Sequence, residues 1–135
     1  MAGERENAFA LRGRIAHFLG DPGMSPENLV HFEDGVLVVE DGKILLCDDA
    51  RSLAGAGFDL AQCEWLPNQL ILPGFIDTHV HSPQIDVIAS YGTQLLDWLN
   101  DYTFPAESRY AERSFAEASA NDFLDYTLSV GTTTS

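Results

Sequence analysis

The texture of this chain changes near residue 70, and that change limits the folds open to it. Before it, apolar residues come in short runs separated by turn formers. Residues 8–19 partly alternate between apolar and polar through Leu11, Gly13, Ile15 and His17, which predicts a strand. A loop rich in Gly, Pro and Asp follows over 20–26. Val36–Glu40, Asp41-Gly42 and Lys43–Cys47 predict a hairpin, because Asp-Gly supplies the positive φ angles of a two-residue turn. A short helix is expected over Arg51–Gly57, and a short strand over Cys63–Leu66, closed by Pro67.

After residue 70 the elements lengthen. Phe75–His79 reads as an apolar strand of the kind covered on both faces. Gln94–Tyr102 reads as a helix that Phe104-Pro105 stops, since a residue before proline avoids the helical region, with Pro105 able to open another turn of helix. Glu112–Val130 is the clearest helix, with Phe115, Ser119, Phe123, Tyr126 and Val130 at spacings of three and four. Ser114 is its expected N-cap, with Glu117 three residues on. Gly131 suits the left-handed position past the helix end, and Thr132–Ser135 reads as a new strand. The expected class is therefore α/β. A β-rich, β-sandwich-like part over 1–70 precedes an alternating strand–helix series over 71–135. A closed (β/α)₈ barrel takes about 250 residues, so that series is expected to be incomplete.

The chemistry concentrates at His79-Val80-His81, at the end of the run Leu72–His81. Side chains two apart on a strand share a face, so both imidazoles can grip one metal ion. Asp77 shares that face and is placed to steady a ligand by a hydrogen bond. Catalytic zinc takes three protein ligands and keeps a position for water, whose pKa it lowers toward ~7. His-x-His is a weak motif alone; its place at the carboxyl end of a strand, where α/β barrels build their sites, strengthens it. No acid in 82–135 has a spacing that would complete a tetrahedron. His17 and His31 are assigned structural roles, and Cys47 and Cys63 are read as small buried hydrophobes.

Composition excludes several partners. The formal net charge is −14, from 21 acidic and 7 basic residues, and Lys43 is the single lysine. Nucleic acid and anionic membranes would be repelled. No apolar run of about 18 residues predicts a membrane span. The charged start Met1–Asn7 lacks the apolar core of a secretion signal, and two cysteines without C-x-x-C spacing make no disulfide framework. A cytoplasmic protein is expected.

Pro73–His81 resembles the first barrel strand of the amidohydrolase superfamily. The continuation is narrower: Ser82-Pro83-Gln84, Ser90-Tyr91-Gly92 and Leu95–Glu107 are similar to the guanine deaminases. The resemblance implies a (β/α)₈ hydrolase barrel, begun over 71–135, that hydrolyses guanine to xanthine and ammonia. It implies zinc, one ion per chain with iron as the alternative, on His79 and His81. It implies substrate contacts from the loop holding His81, Ser82, Pro83 and Gln84, with the Gln84 amide bonding the purine edge. It also implies a homodimer. The family's proton shuttle and remaining ligands have no counterpart in this sequence, so no catalytic residue is assigned and the 135-residue piece is expected to be inactive alone. Trp98 and Phe104 are read as core aromatics. Two other readings stand beside this one: a related amidohydrolase acting on cytosine or a triazine, and an inactive remnant or β-rich interaction module.

Overall fold

A computed structural model describes residues 8–135. It is a mixed α/β chain divided into two compact units, the boundary falling between Pro73 and Gly74.

The first unit is built on one four-stranded sheet. Strand β1 (Ala8–Phe18) is flanked by β2 (Leu29–Glu40), which pairs in turn with β3 (Lys43–Asp49). Strand β4 (Glu64–Ile71) adds to the other side of β1 in parallel, giving the order β3-β2-β1-β4. The hairpin forms where the sequence predicts it. Asp41 and Gly42 hold φ of 51° and 73°, and Glu40 pairs with Lys43 across the turn. A short helix α1 (Ala50–Gly55) follows β3, capped by Asp49, whose side chain accepts from Ser52 N.

Two strands run longer than expected. β2 begins at Leu29, because Val30, Phe32 and their neighbours pair with the second half of β1. β4 runs through Pro67 to Ile71, with a register shift beside it: Gly13 pairs with Leu66 and Arg14 with Leu70. That slip lets a residue lacking an N–H sit on an outer strand. Ile15 and Val36 are buried where β1 and β2 meet. Gly35 is required there, since a Cβ on it would lie 2.8 Å from Ile15 Cδ1.

An ion pair joins β1 to β2. Arg12 on β1 donates from Nε and Nη2 to the two carboxylate oxygens of Asp34 at 2.8 and 2.7 Å. The same guanidinium lies 4.9 Å from the ring centre of Trp65 on β4. The hydrogen bonds from Arg12 hold the Asp34 carboxyl below the usual carboxylate range, and Asp34 in turn raises the Arg12 pKa. Burial pushes the pKa values of the free Cys47 and Cys63 thiols upward. His17 packs beside Phe32, and His31 lies 3.8 Å from Glu33.

The second unit begins with β5, which is only Phe75–Ile76 and pairs in parallel with β6 (Thr132–Thr134). The expected strand to His79 is cut short. Asp77 N still donates to Thr134 O, but the Asp77 side chain then accepts from His79 N at 3.0 Å and turns the chain. Gly74 admits the close approach of Thr133, which any Cβ there would prevent.

A 3₁₀ segment over Ser82–Val87 leads to α2 (Leu95–Trp98). The helix does not stop at Phe104-Pro105. It widens to a π turn over Leu99–Thr103, where Phe104 N donates to Leu99 O, and continues as α3 (Phe104–Ser108). The wider turn makes room for a proline ring that would strike the carbonyl four residues back in a regular helix. Phe104 itself stays helical, at φ −63° and ψ −40°.

The long helix α4 spans Arg113–Ser129. Its N-cap is Glu112, not Ser114. The Glu112 carboxylate accepts from both the backbone N and the hydroxyl of Ser114. Gly131 takes φ of 84°, ending the helix in the left-handed conformation expected of it.

The Arg12–Asp34 pair generates a prediction. Asp34 is depressed when folded, so its contribution is present above the unfolded carboxylate pKa and is lost as pH falls through the lower folded value. Asp34→Asn should lower thermal stability at pH 7 by about 1 kcal/mol or less, because both side chains are part-exposed. The difference from the parent should close as pH is lowered through the acid range. Melting curves between neutral and acid pH check it; a constant difference would show that the charge is not the cause.

Candidate metal centre and ligand cavity

His79 and His81 follow the carboxyl end of β5, outside the strand. Asp77 Oδ1 accepts from His79 N and turns the chain there. The two Nε2 atoms lie 3.2 Å apart, with ring centres at 5.2 Å and ring planes at 50°. Both rings are solvent-exposed.

That distance has two chemical readings. Without an ion, one imidazole donates its Nε2–H to the other's lone pair. With an ion, both lone pairs point at it. Two nitrogens about 2.0–2.1 Å from a tetrahedral zinc are separated by roughly 3.3 Å, so the pair is spaced to share one ion. Two ligands do not make a complete site. Among the described residues, no group of three or more His, Cys, Asp and Glu side chains is arranged to hold a metal. Asp77 is not seen gripping either ring; Oδ1 accepts from the His79 backbone.

The pair lines a cavity of about 380 Å³. Asp77, His79, His81 and Gln84 supply much of its polar wall, while Ile85, Val87, Phe123 and Val130 supply apolar surface. Ligand sites commonly combine an apolar wall with few convergent polar groups. Ala89, also in the wall, holds a positive φ of 61°, a strained value for a residue with a Cβ.

Gln84 lines the same cavity as the two histidines. It stands on the 3₁₀ segment, with its N–H bonded to His81 O at 2.9 Å. Ser82 and Pro83 are not in the cavity wall. They open the 3₁₀ segment, and Ser82 O accepts from the Tyr110 hydroxyl at 3.3 Å. Trp98, read from sequence as core, is half-buried and lines the cavity, with Nε1 held by Ser90 Oγ at 2.9 Å. Phe104, read the same way, is 53% exposed.

Sequence reasoning gave no role to Glu107. Its Oε1 accepts from Gln84 Nε2 at 3.0 Å, in a part-buried contact. The partners are 23 positions apart, so no local spacing could reveal them.

No family model matches the sequence. Individual relatives do. Guanine deaminase of Dictyostelium discoideum is 48% identical over 135 residues, covering 92% of this chain and 30% of that protein. Guanine deaminase of Escherichia coli is 34% identical, covering 93% of this chain and 29% of that protein. The crystal structure of guanine deaminase from Bradyrhizobium japonicum superposes with a TM-score of 0.82 at 34% identity, covering 94% of this chain and 28% of that one. The chain is a homologue of guanine deaminases. It spans under a third of the length of these homologues. The similarity runs across nearly all of it, through the β-rich unit as well as the histidine turn.

Zinc titration against a chelator tests the paired imidazoles. Parent protein should hold the metal more tightly than either His79→Ala or His81→Ala. Each loss should exceed the roughly 10–100-fold that removal of an outer hydrogen-bond partner costs. Equal retention by all three proteins would mean the rings do not ligate.

Proposed function

We propose that this chain supplies part of a metal-dependent guanine deaminase, in which guanine and water give xanthine and ammonia. The observation that carries the reading is the pair of imidazole nitrogens 3.2 Å apart, in the wall of a cavity that also holds a fixed carboxamide. Homology to guanine deaminases across both units supports the substrate.

In this reading β5, the helical excursion, α4 and β6 open a (β/α)₈ barrel over 71–135, after a β-rich part over 1–70. His79 and His81 hold the metal, zinc in preference to iron, with further ligands and the proton shuttle contributed by other residues. The metal, when bound, supplies Lewis-acid activation of water. The chain's own residues bind and orient. Gln84 bonds the edge of the flat base, and the apolar wall shields it from bulk water. Ser82 and Pro83 set the turn that presents His81 and Gln84. A cytoplasmic location and a homodimeric assembly belong to the proposal. Among the described residues no helix is long and apolar enough to cross a membrane.

Purified intact protein should deplete guanine absorbance and form xanthine and ammonia in equal amounts. His79→Ala should abolish turnover. Gln84→Ala should raise KM for guanine about 10-fold, the size of one lost hydrogen bond at a partly charged contact. Turnover of cytosine or a triazine in place of guanine would assign the site to another aminated heterocycle.

A further inference from the structure

We infer that Glu107 is a positioning residue: it fixes which end of the Gln84 carboxamide faces the cavity, so that the site offers an oxygen acceptor to a ring N–H of its ligand. The inference rests on the guanine reading above and adds to it a residue outside the cavity wall.

The argument begins with what each group can do. An ionised carboxylate only accepts hydrogen bonds, whereas a carboxamide has a donating and an accepting end. Glu107 Oε1 lies 3.0 Å from the Gln84 side chain in a part-buried contact. Only the NH₂ end of Gln84 can face it. The flipped amide would set two oxygens against each other where water screens them poorly. Gln84 is in the cavity wall and Glu107 is not. The end left for the cavity is therefore Oε1, which bonds to no other side chain or backbone group among the described residues.

The two segments are also tied on either side of this contact. Asp86 accepts from Arg109 Nη1 at 2.8 Å, and Ser82 O accepts from Tyr110. Arg109 in turn stacks over the Phe115 ring at 4.0 Å. Three contacts thus join 82–86 to 107–110 and hold the amide in place as well as in orientation. An acceptor there selects a heterocycle that presents an N–H, as guanine does at its ring nitrogens. It disfavours one presenting only lone pairs at that edge.

The test is a cycle in the intact protein: Glu107→Gln, Gln84→Ala and the double variant. Glu107→Gln keeps size and hydrogen bonding but no longer dictates the flip. It should raise KM for guanine about 3–10-fold with kcat nearly unchanged, and should add nothing in the Gln84→Ala background. The Gln84 side-chain amide signals in NMR spectra should be shifted by the carboxylate in the parent and not in Glu107→Gln. An equal KM effect with and without Gln84, or unshifted amide signals in the parent, would overturn the inference. A parent inert toward guanine but carrying the shifted signals would overturn the substrate reading and leave the positioning role standing.

Discussion

The hydrogen bond from His79 N to the Asp77 carboxylate is the constraint on which the rest of the site depends. β5 is two residues long because the chain leaves its partner strand at Asp77. The turn that this bond closes sets where the two histidines leave the strand, and beyond it their Nε2 atoms lie 3.2 Å apart. A two-residue strand has little pairing energy of its own. It is held by Asp77 N on Thr134 O and by Gly74, where the missing side chain lets Thr133 approach. Small residues and one carboxylate therefore place the segment that carries the two histidines.

The surroundings repeat this principle at a larger scale. The segment after His81 is a single 3₁₀ stretch, Ser82–Val87. Its position comes from side-chain ties to the stretch 107–110, which a π turn carries past Pro105. A π turn changes the angular phase of residues after it by part of a turn. Glu107, Arg109 and Tyr110 come after it, so their meeting with Gln84, Asp86 and Ser82 depends on that phase. The proline and the widened turn thus serve the site although neither touches the ligand cavity.

Much of this was legible in the sequence, and the failures have a common cause. The hairpin at Asp41-Gly42, the long helix, its Gly131 terminus and the parallel strand after it are local patterns with local physics, and they form as expected. His79, His81 and Gln84 sit within six residues of one another in the sequence, and the structure lines one cavity with them. What the sequence hid was decided by partners far along the chain. β2 extends back to Leu29 because β1 is there to pair with it, and β4 passes Pro67 because β1 shifts register beside it. The Glu112 cap displaced Ser114 by a choice between two capable side chains that periodicity cannot rank. Glu107 is the sharpest case. It lies in a run that resembles guanine deaminases, yet nothing in its neighbours says that it reaches a glutamine 23 positions earlier.

The exposed apolar surface of the second unit bears on the proposed function. Phe75 and Ile76 are 57% and 69% exposed, although parallel strands normally have both faces covered. Leu124 and Leu128, which widen the apolar stripe of α4, are exposed as well. In an alternating strand–helix series these are the surfaces on which neighbouring strands and helices pack. Parallel pairing between β5 and β6, with α4 between them in sequence, is the repeat unit of such a series. A site at the carboxyl end of parallel strands draws its groups from several strand ends. In the proposed reading one strand need supply only its own share, here two imidazoles and the turn before them.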